Sequence, residues 1–129
     1  LTKNIDYIMS RRLLLVEDHD GLRRIIGNFL SNKFEVVGAK NGLEAMGWLS
    51  KGVMPDVIVT DASMPELDGA ALLTNLRCSG LWADIPVVVL GNADDEAEER
   101  RFKSLGAYGY FPKPFSPAQL EDRLMDIVG

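Results

Sequence analysis

The sequence predicts an α/β protein, a parallel β-sheet covered on both faces by helices. Short, wholly apolar runs, Leu13-Leu14-Leu15-Val16, Val57-Ile58-Val59 and Val87-Val88-Val89-Leu90, read as strands buried on both sides. Stretches of helical period separate them. Turn and cap residues fall at the joins between the two kinds of segment. Five strands alternate with five helices, the pattern of a parallel sheet with right-handed crossovers. A length of 129 residues suits one domain, and the chain shows no internal repeat or low-complexity segment.

The elements follow in order. Residues 1–10 stand outside the periodic pattern and read as a tag remnant, a linker or a flexible N-terminal arm, with Met9-Ser10-Arg11 resembling a natural start. The first strand, residues 13–16, runs into Glu17-Asp18-His19-Asp20. Leu22, Ile25, Ile26, Phe29 and Leu30 then form one helical stripe, with Arg23, Arg24 and Asn28 on the outer face. Residues 34–39 make a second, more alternating strand, as expected near a sheet edge. Asn41-Gly42-Leu43-Glu44 has capping-box spacing and opens a helix carrying Ala45, Met46, Trp48 and Leu49; Lys51-Gly52 closes it and Pro55 punctuates the chain.

The third strand ends on Thr60-Asp61. Asp68 caps a third helix carrying Leu72, Leu73 and Leu76, which ends at Ser79-Gly80. Trp82 anchors the loop that follows. Residues 87–90 form the fourth strand, which leaves through Gly91-Asn92. Asp94-Asp95-Glu96, Glu98 and Glu99 precede Arg100, Arg101 and Lys103, the order a helix dipole favours, and read as a solvated fourth helix. Ala97, Phe102 and Leu105 are its few anchors, so its attachment to the sheet is loose. Residues 108–111 form a short fifth strand, broken at Lys113-Pro114-Phe115. Ser116-Pro117-Ala118-Gln119 starts a fifth helix with Leu120, Leu124, Ile127 and Val128 on its buried side.

Composition narrows the function. Acids outnumber bases 19 to 14, a formal net charge of −5, which argues against direct nucleic acid binding by this domain. No apolar run approaches the ~20 residues of a membrane span, and no signal-peptide pattern is visible. Cys78 is the one cysteine, which excludes an internal disulfide and fits a reducing cytoplasm. Set among leucines, it reads as a packed small hydrophobe. His19 reads as a solvent-facing loop residue, and Tyr108 and Phe115 as packing groups.

The strand ends carry the chemistry. The first gives Glu17 and Asp18, the third Asp61, the fourth Gly91 and Asn92, the fifth Lys113. If the first, third, fourth and fifth strands are neighbours, these groups share one rim, where open α/β sheets bind ligands. Three crowded carboxylates repel unless a cation joins them, and hard oxygen ligands suit Mg²⁺ or Mn²⁺. A divalent ion, a carboxylate nucleophile and a lysine ammonium together equip a site for phosphoryl transfer.

Four blocks in order then resemble the receiver domain of two-component response regulators: Leu14-Leu15-Val16-Glu17-Asp18; Asp61-Ala62-Ser63-Met64-Pro65-Glu66-Leu67-Asp68-Gly69; Ile85-Pro86-Val87-Val88-Val89-Leu90; and Gly109-Tyr110-Phe111-Pro112-Lys113-Pro114-Phe115. The resemblance covers nearly the whole chain and makes residues 11–129 the receiver domain. It implies a flavodoxin-like (βα)5 doubly wound five-stranded parallel sheet of strand order 2-1-3-4-5. It makes Asp61 the phosphoacceptor, Lys113 the contact to the phosphoryl group, and Glu17, Asp18, Asp61 and the backbone carbonyl of Ser63 the metal site. It also implies a cis Lys113-Pro114 bond, and Tyr110 as the aromatic switch. The partners it implies are a histidine kinase or histidine phosphotransfer protein. The face formed by the fourth helix, fifth strand and fifth helix would be the surface for changing partners or for a homodimer.

One position departs from the family. Gly91 stands where a Thr or Ser would bond a phosphoryl oxygen, so phosphorylation is expected to couple weakly to the switch. Asn92 leaves the strand on the opposite side, which sets it against acting as a substitute. A phosphorylation-independent interaction module is therefore the alternative reading. An aspartate-nucleophile phosphatase would want an acid where Ser63 stands. A flavin site would want a glycine- and hydroxyl-rich loop where Glu17-Asp18-His19-Asp20 stands.

Overall fold

The computed structural model describes residues 11–92 and 95–129. The arm assigned to residues 1–10, and Asp94 of the acidic run, lie outside these. The elements are β1 (Arg11–Val16), α1 (Asp20–Leu30), β2 (Phe34–Ala39), α2 (Gly42–Ser50), β3 (Val57–Asp61), α3 (Gly69–Arg77), β4 (Val87–Asn92), α4 (Glu96–Ser104), β5 (Gly109–Lys113) and α5 (Pro117–Val128). The strands pair in the order β2-β1-β3-β4-β5, all parallel. This is the expected flavodoxin-like order.

The apolar runs look uniform in sequence, yet the strand period of two sorts them onto opposite faces. Leu14, Val16, Ile58, Val87 and Val89 pack with Ala45, Leu49, Leu72, Leu73, Leu76 and Phe102 from α2, α3 and α4. Leu13, Leu15, Val57, Val59, Val88 and Leu90 pack with Ile26, Leu30, Leu120 and Leu124 from α1 and α5. Both faces are thus dry, which is why β1, β3 and β4 need no polar alternation. Pro112 falls on edge strand β5, where a missing ladder N–H is tolerated.

The caps form where the sequence placed them. Asn41 accepts from the Glu44 N–H, Asp68 from Ala71 and Ser116 from Gln119. His19 is exposed, but it is more than a loop residue: its Nδ1 accepts from the Leu22 N–H at 3.0 Å and caps α1.

Four packing expectations are corrected. In α1 the buried line is Ile26 and Leu30, with Leu22 packed beside them, whereas Ile25 and Phe29 face out. A stripe two residues wide at each turn subtends more of the helix than the sheet and α5 cover. In α4, Ala97 is exposed and Glu98 half-buried, so Phe102 and Leu105 are the apolar anchors. Cys78 is exposed, because α3 ends at Arg77 and the chain turns away from the core there. Tyr108 is exposed because it precedes β5 rather than lying in it.

Neighbouring isoleucines offer a test of the α1 correction. Ile26 is 2% exposed and Ile25 65%. In urea titrations Ile26→Ala should lose about 2–5 kcal/mol, and Ile25→Ala should stay within about 0.5 kcal/mol of the parent.

Candidate functional site

Because every strand runs the same way, the carboxyl ends lie along one edge. There Val16 pairs with Thr60, Asp61 with Leu90, and Asn92 with Lys113. The Glu17 N–H continues the ladder by donating to Ala39 O at 2.9 Å, which holds Glu17 at the end of β1 with its side chain 1% exposed. Glu17 Oε2 accepts from the His19 N–H at 3.0 Å. Arg23 Nη1 donates to Glu17 O and Nη2 to Asp20 Oδ1, both at 2.7 Å, and this ties the acidic turn to α1.

Asp61 closes β3 and is 7% exposed. The loop after it is folded back tightly. Gly69 N–H donates to Ala62 O at 3.2 Å, and a side chain at Gly69 would overlap the Asp61 carbonyl. The loop carbonyls of Leu67 and Glu66 accept from the Gly42 and Leu43 N–H groups at 3.0 and 3.3 Å, so the loop serves as part of the α2 cap. Glu66 and Leu67 hold the reversal with φ of 53° and 70°.

The site residues stand as follows. Lys113 reaches across from β5 and donates from Nζ to Asp61 Oδ1 at 2.5 Å, with Glu17 Oε1 3.7 Å away. The Lys113–Pro114 bond is cis. Glu17, exposed Asp18 and Asp61 each offer an oxygen within 4.8 Å of the others, the one such cluster among the described residues. Ser63 lies in the exposed bend two residues past Asp61. Gly91 is buried at the end of β4, opposite Pro112. Tyr110 lies half-buried over it: its hydroxyl donates to Glu98 Oε1 and lies 3.2 Å from Asn92 O.

Two carboxylates are held in an environment that opposes their charge. Burial pushes Glu17 up, and the Asp61 charge pushes it further, against the His19 N–H. Burial also pushes Asp61 up, and outweighs the Lys113 ammonium that draws it down. Glu17 Oε1 is buried without a hydrogen-bond partner. A buried carboxylate oxygen lacking a donor, beside two more carboxylates, is a set of hard oxygen donors fitted to a small divalent cation.

Glu98 is the residue that sequence reading missed. It sits in an acidic run with nothing to distinguish it from Glu96 and Glu99. A usable signal was its spacing from Asp95, whose side chain accepts from the Glu98 N–H at α4's start.

A family model described as the response regulator receiver domain matches residues 13–125. The chain belongs to the response regulator receiver domain family. It is 33% identical over 120 residues to a chemotaxis protein CheY homolog of Campylobacter jejuni, covering 92% of each protein. It is 35% identical to the probable transcriptional regulator ycf27 of Guillardia theta, of which it covers 48%. Among solved structures, a putative response regulator from Chloroflexus aurantiacus superposes with a TM-score of 0.86 at 29% identity, over 92% of this chain and 98% of that one. Chemotaxis response regulator CheY4 of Vibrio cholerae gives 0.84 at 26% identity, over 92% and 99%. As a CheY-like receiver, the domain acts in two-component signalling. No helix among the described residues is long and apolar enough to cross a membrane.

The raised carboxyls imply a pH dependence of definite sign. A carboxyl whose folded pKa exceeds its unfolded value loses stability as pH rises from the unfolded value through the folded one. Removing the charge should therefore help increasingly as pH rises through that window. In metal-free buffer, the Tm of Glu17→Gln relative to the parent should climb as pH rises above the ordinary glutamate value of 4.5, by a few degrees in all. Thermal melts across that range check it, and a flat difference would contradict the burial argument.

Proposed function

We propose that this receiver accepts a phosphoryl group on Asp61 from a histidine kinase or histidine phosphotransfer protein. The observation that carries the reading is Lys113 Nζ seated on Asp61 Oδ1 at 2.5 Å, beside the Glu17 and Asp18 carboxylates. An Asp61 oxygen attacks phosphorus in line with the leaving group. One P–O bond forms as the bond to the donor breaks, and the donor departs with that bond's electron pair. Lys113 holds Asp61 in place beforehand and pairs with the phosphoryl oxygens afterwards. Burial keeps water from the Asp61 carboxyl and strengthens the lysine's field.

Glu17, Asp18, Asp61 and the Ser63 carbonyl would hold Mg²⁺ or Mn²⁺. Bound there, the ion would supply positive charge against the phosphoryl oxygens. Residues 11–129 form the receiver unit, and residues 1–10 an arm or linker outside it. The output surface is α4–β5–α5, which serves exchange of partners or a homodimer. The domain acts on its own aspartate and turns over no separate substrate, in keeping with a cytoplasmic signalling role. A second reading, a receiver that binds partners without phosphorylation, is favoured by Gly91, which has no hydroxyl to bond a phosphoryl oxygen.

Acetyl phosphate with Mg²⁺ should place base-labile, hydroxylamine-sensitive phosphate on the parent and none on Asp61→Asn, as read by phosphate-affinity electrophoresis. Absence of label on the parent, with a donor proven active, would sink the phosphoacceptor reading. Mg²⁺ at a hundredfold excess over its Kd should stabilise the parent by about 2.7 kcal/mol. Asp18→Asn should weaken that binding by about tenfold or more, measured by the Mg²⁺ dependence of Tm.

A further inference from the structure

Gly91, Tyr110 and Glu98 form one connected feature. A β-carbon on Gly91 would overlap the Tyr110 hydroxyl and ring and crowd Glu98 Oε1. The ring therefore occupies the volume that a side chain at position 91 would fill. Glu98 Oε1 accepts from the Tyr110 hydroxyl and also from the Asn92 N–H at 3.1 Å. One carboxylate oxygen thus ties the first turns of α4 to the last residue of β4 and to β5. The Tyr110 ring also packs near Phe102, with centroids 6.2 Å apart.

The energetics favour this arrangement. Hydrogen bonds to a charged carboxylate are stronger than neutral ones. Helix α4 has few apolar anchors, so polar ties carry a larger share of its attachment. A threonine at position 91 would require the Tyr110 ring and hydroxyl to move from the place they hold.

We propose that Glu98 is a positioning residue that latches Tyr110 over Gly91 in the unphosphorylated chain, and that Gly91 is what makes room for the latch. The α4–β5 face is then set in one arrangement before any phosphoryl group arrives. This deepens the reading of α4–β5–α5 as the output surface, and rests on it.

The experiment uses the full chain in solution NMR with no phosphodonor present, comparing the parent with Glu98→Ala, Glu98→Gln, Tyr110→Phe and Gly91→Thr. In the parent, Tyr110 should hold a single χ1 rotamer and the Asn92 amide should be protected. Glu98→Ala should speed Asn92 amide exchange by about tenfold or more and average the Tyr110 rotamer. Glu98→Gln keeps an acceptor oxygen and should restore part of both, which a merely structural role would not predict. Tyr110→Phe should leave the Asn92 amide protected by Glu98. In Gly91→Thr the ring should leave its place; if that variant does not fold, the two Glu98 variants decide. Rotamer averaging in the parent, or Asn92 exchange in Glu98→Ala equal to the parent's, would overturn the latch. Phosphate incorporation from acetyl phosphate, measured separately on the same preparations, reports on Asp61 alone, so the two readings fail independently.

Discussion

The site depends on a conflict between burial and charge. Asp61 and Glu17 are carboxylates nearly removed from water, and Asp18 adds a third negative charge within 4.8 Å. Lys113 offsets part of this, yet burial still pushes both buried carboxyls up. Three acids and one base leave the rim with excess negative charge. That excess attracts a cation, and keeps a phosphoryl group away unless positive charge accompanies it. Electrostatic selectivity of this kind needs the carboxylates held close against their repulsion, and the surrounding structure does the holding.

The restraint comes from the sheet. Parallel pairing fixes the register of β1, β3, β4 and β5, so Asp61 and Lys113, fifty-two positions apart in the chain, meet side chain to side chain. The β3–α3 loop is locked at both ends, by Gly69 against Ala62 and by the carbonyls that cap α2. Two apolar layers cover the sheet and leave little freedom for a strand to slide. Away from β3 the restraint weakens. Helix α4 has two apolar anchors, and polar bonds from Glu98 take over part of the task.

Much was legible from residue order alone. The apolar tetrads, the helix caps and the acidic pair are local patterns, and local patterns express short-range physics: strand burial, N-cap hydrogen bonds, the stiffness of proline. The α1 stripe was legible only in part. Helical period shows which residues share a side, but the width of the buried strip depends on what packs there, and Ile25 and Phe29 fall outside it. Cys78 and Tyr108 failed for a related reason, since each lies just beyond the end of an element, where the direction of the chain decides exposure.

By itself the sequence determined the class of fold, the succession of elements and the inventory of chemically active groups, because these follow from period, propensity and residue type. It also placed a glycine at the end of the fourth strand. Only the tertiary structure decided what that glycine is next to. The bare Gly91 lies beneath the Tyr110 ring, and Glu98, one acid among several in an exposed run, is the group that bonds the ring. Contacts between β4, α4 and β5 are set by the packing of three elements at once, and the local spacing of Glu98 from the cap Asp95 does not by itself say that this acid meets Tyr110.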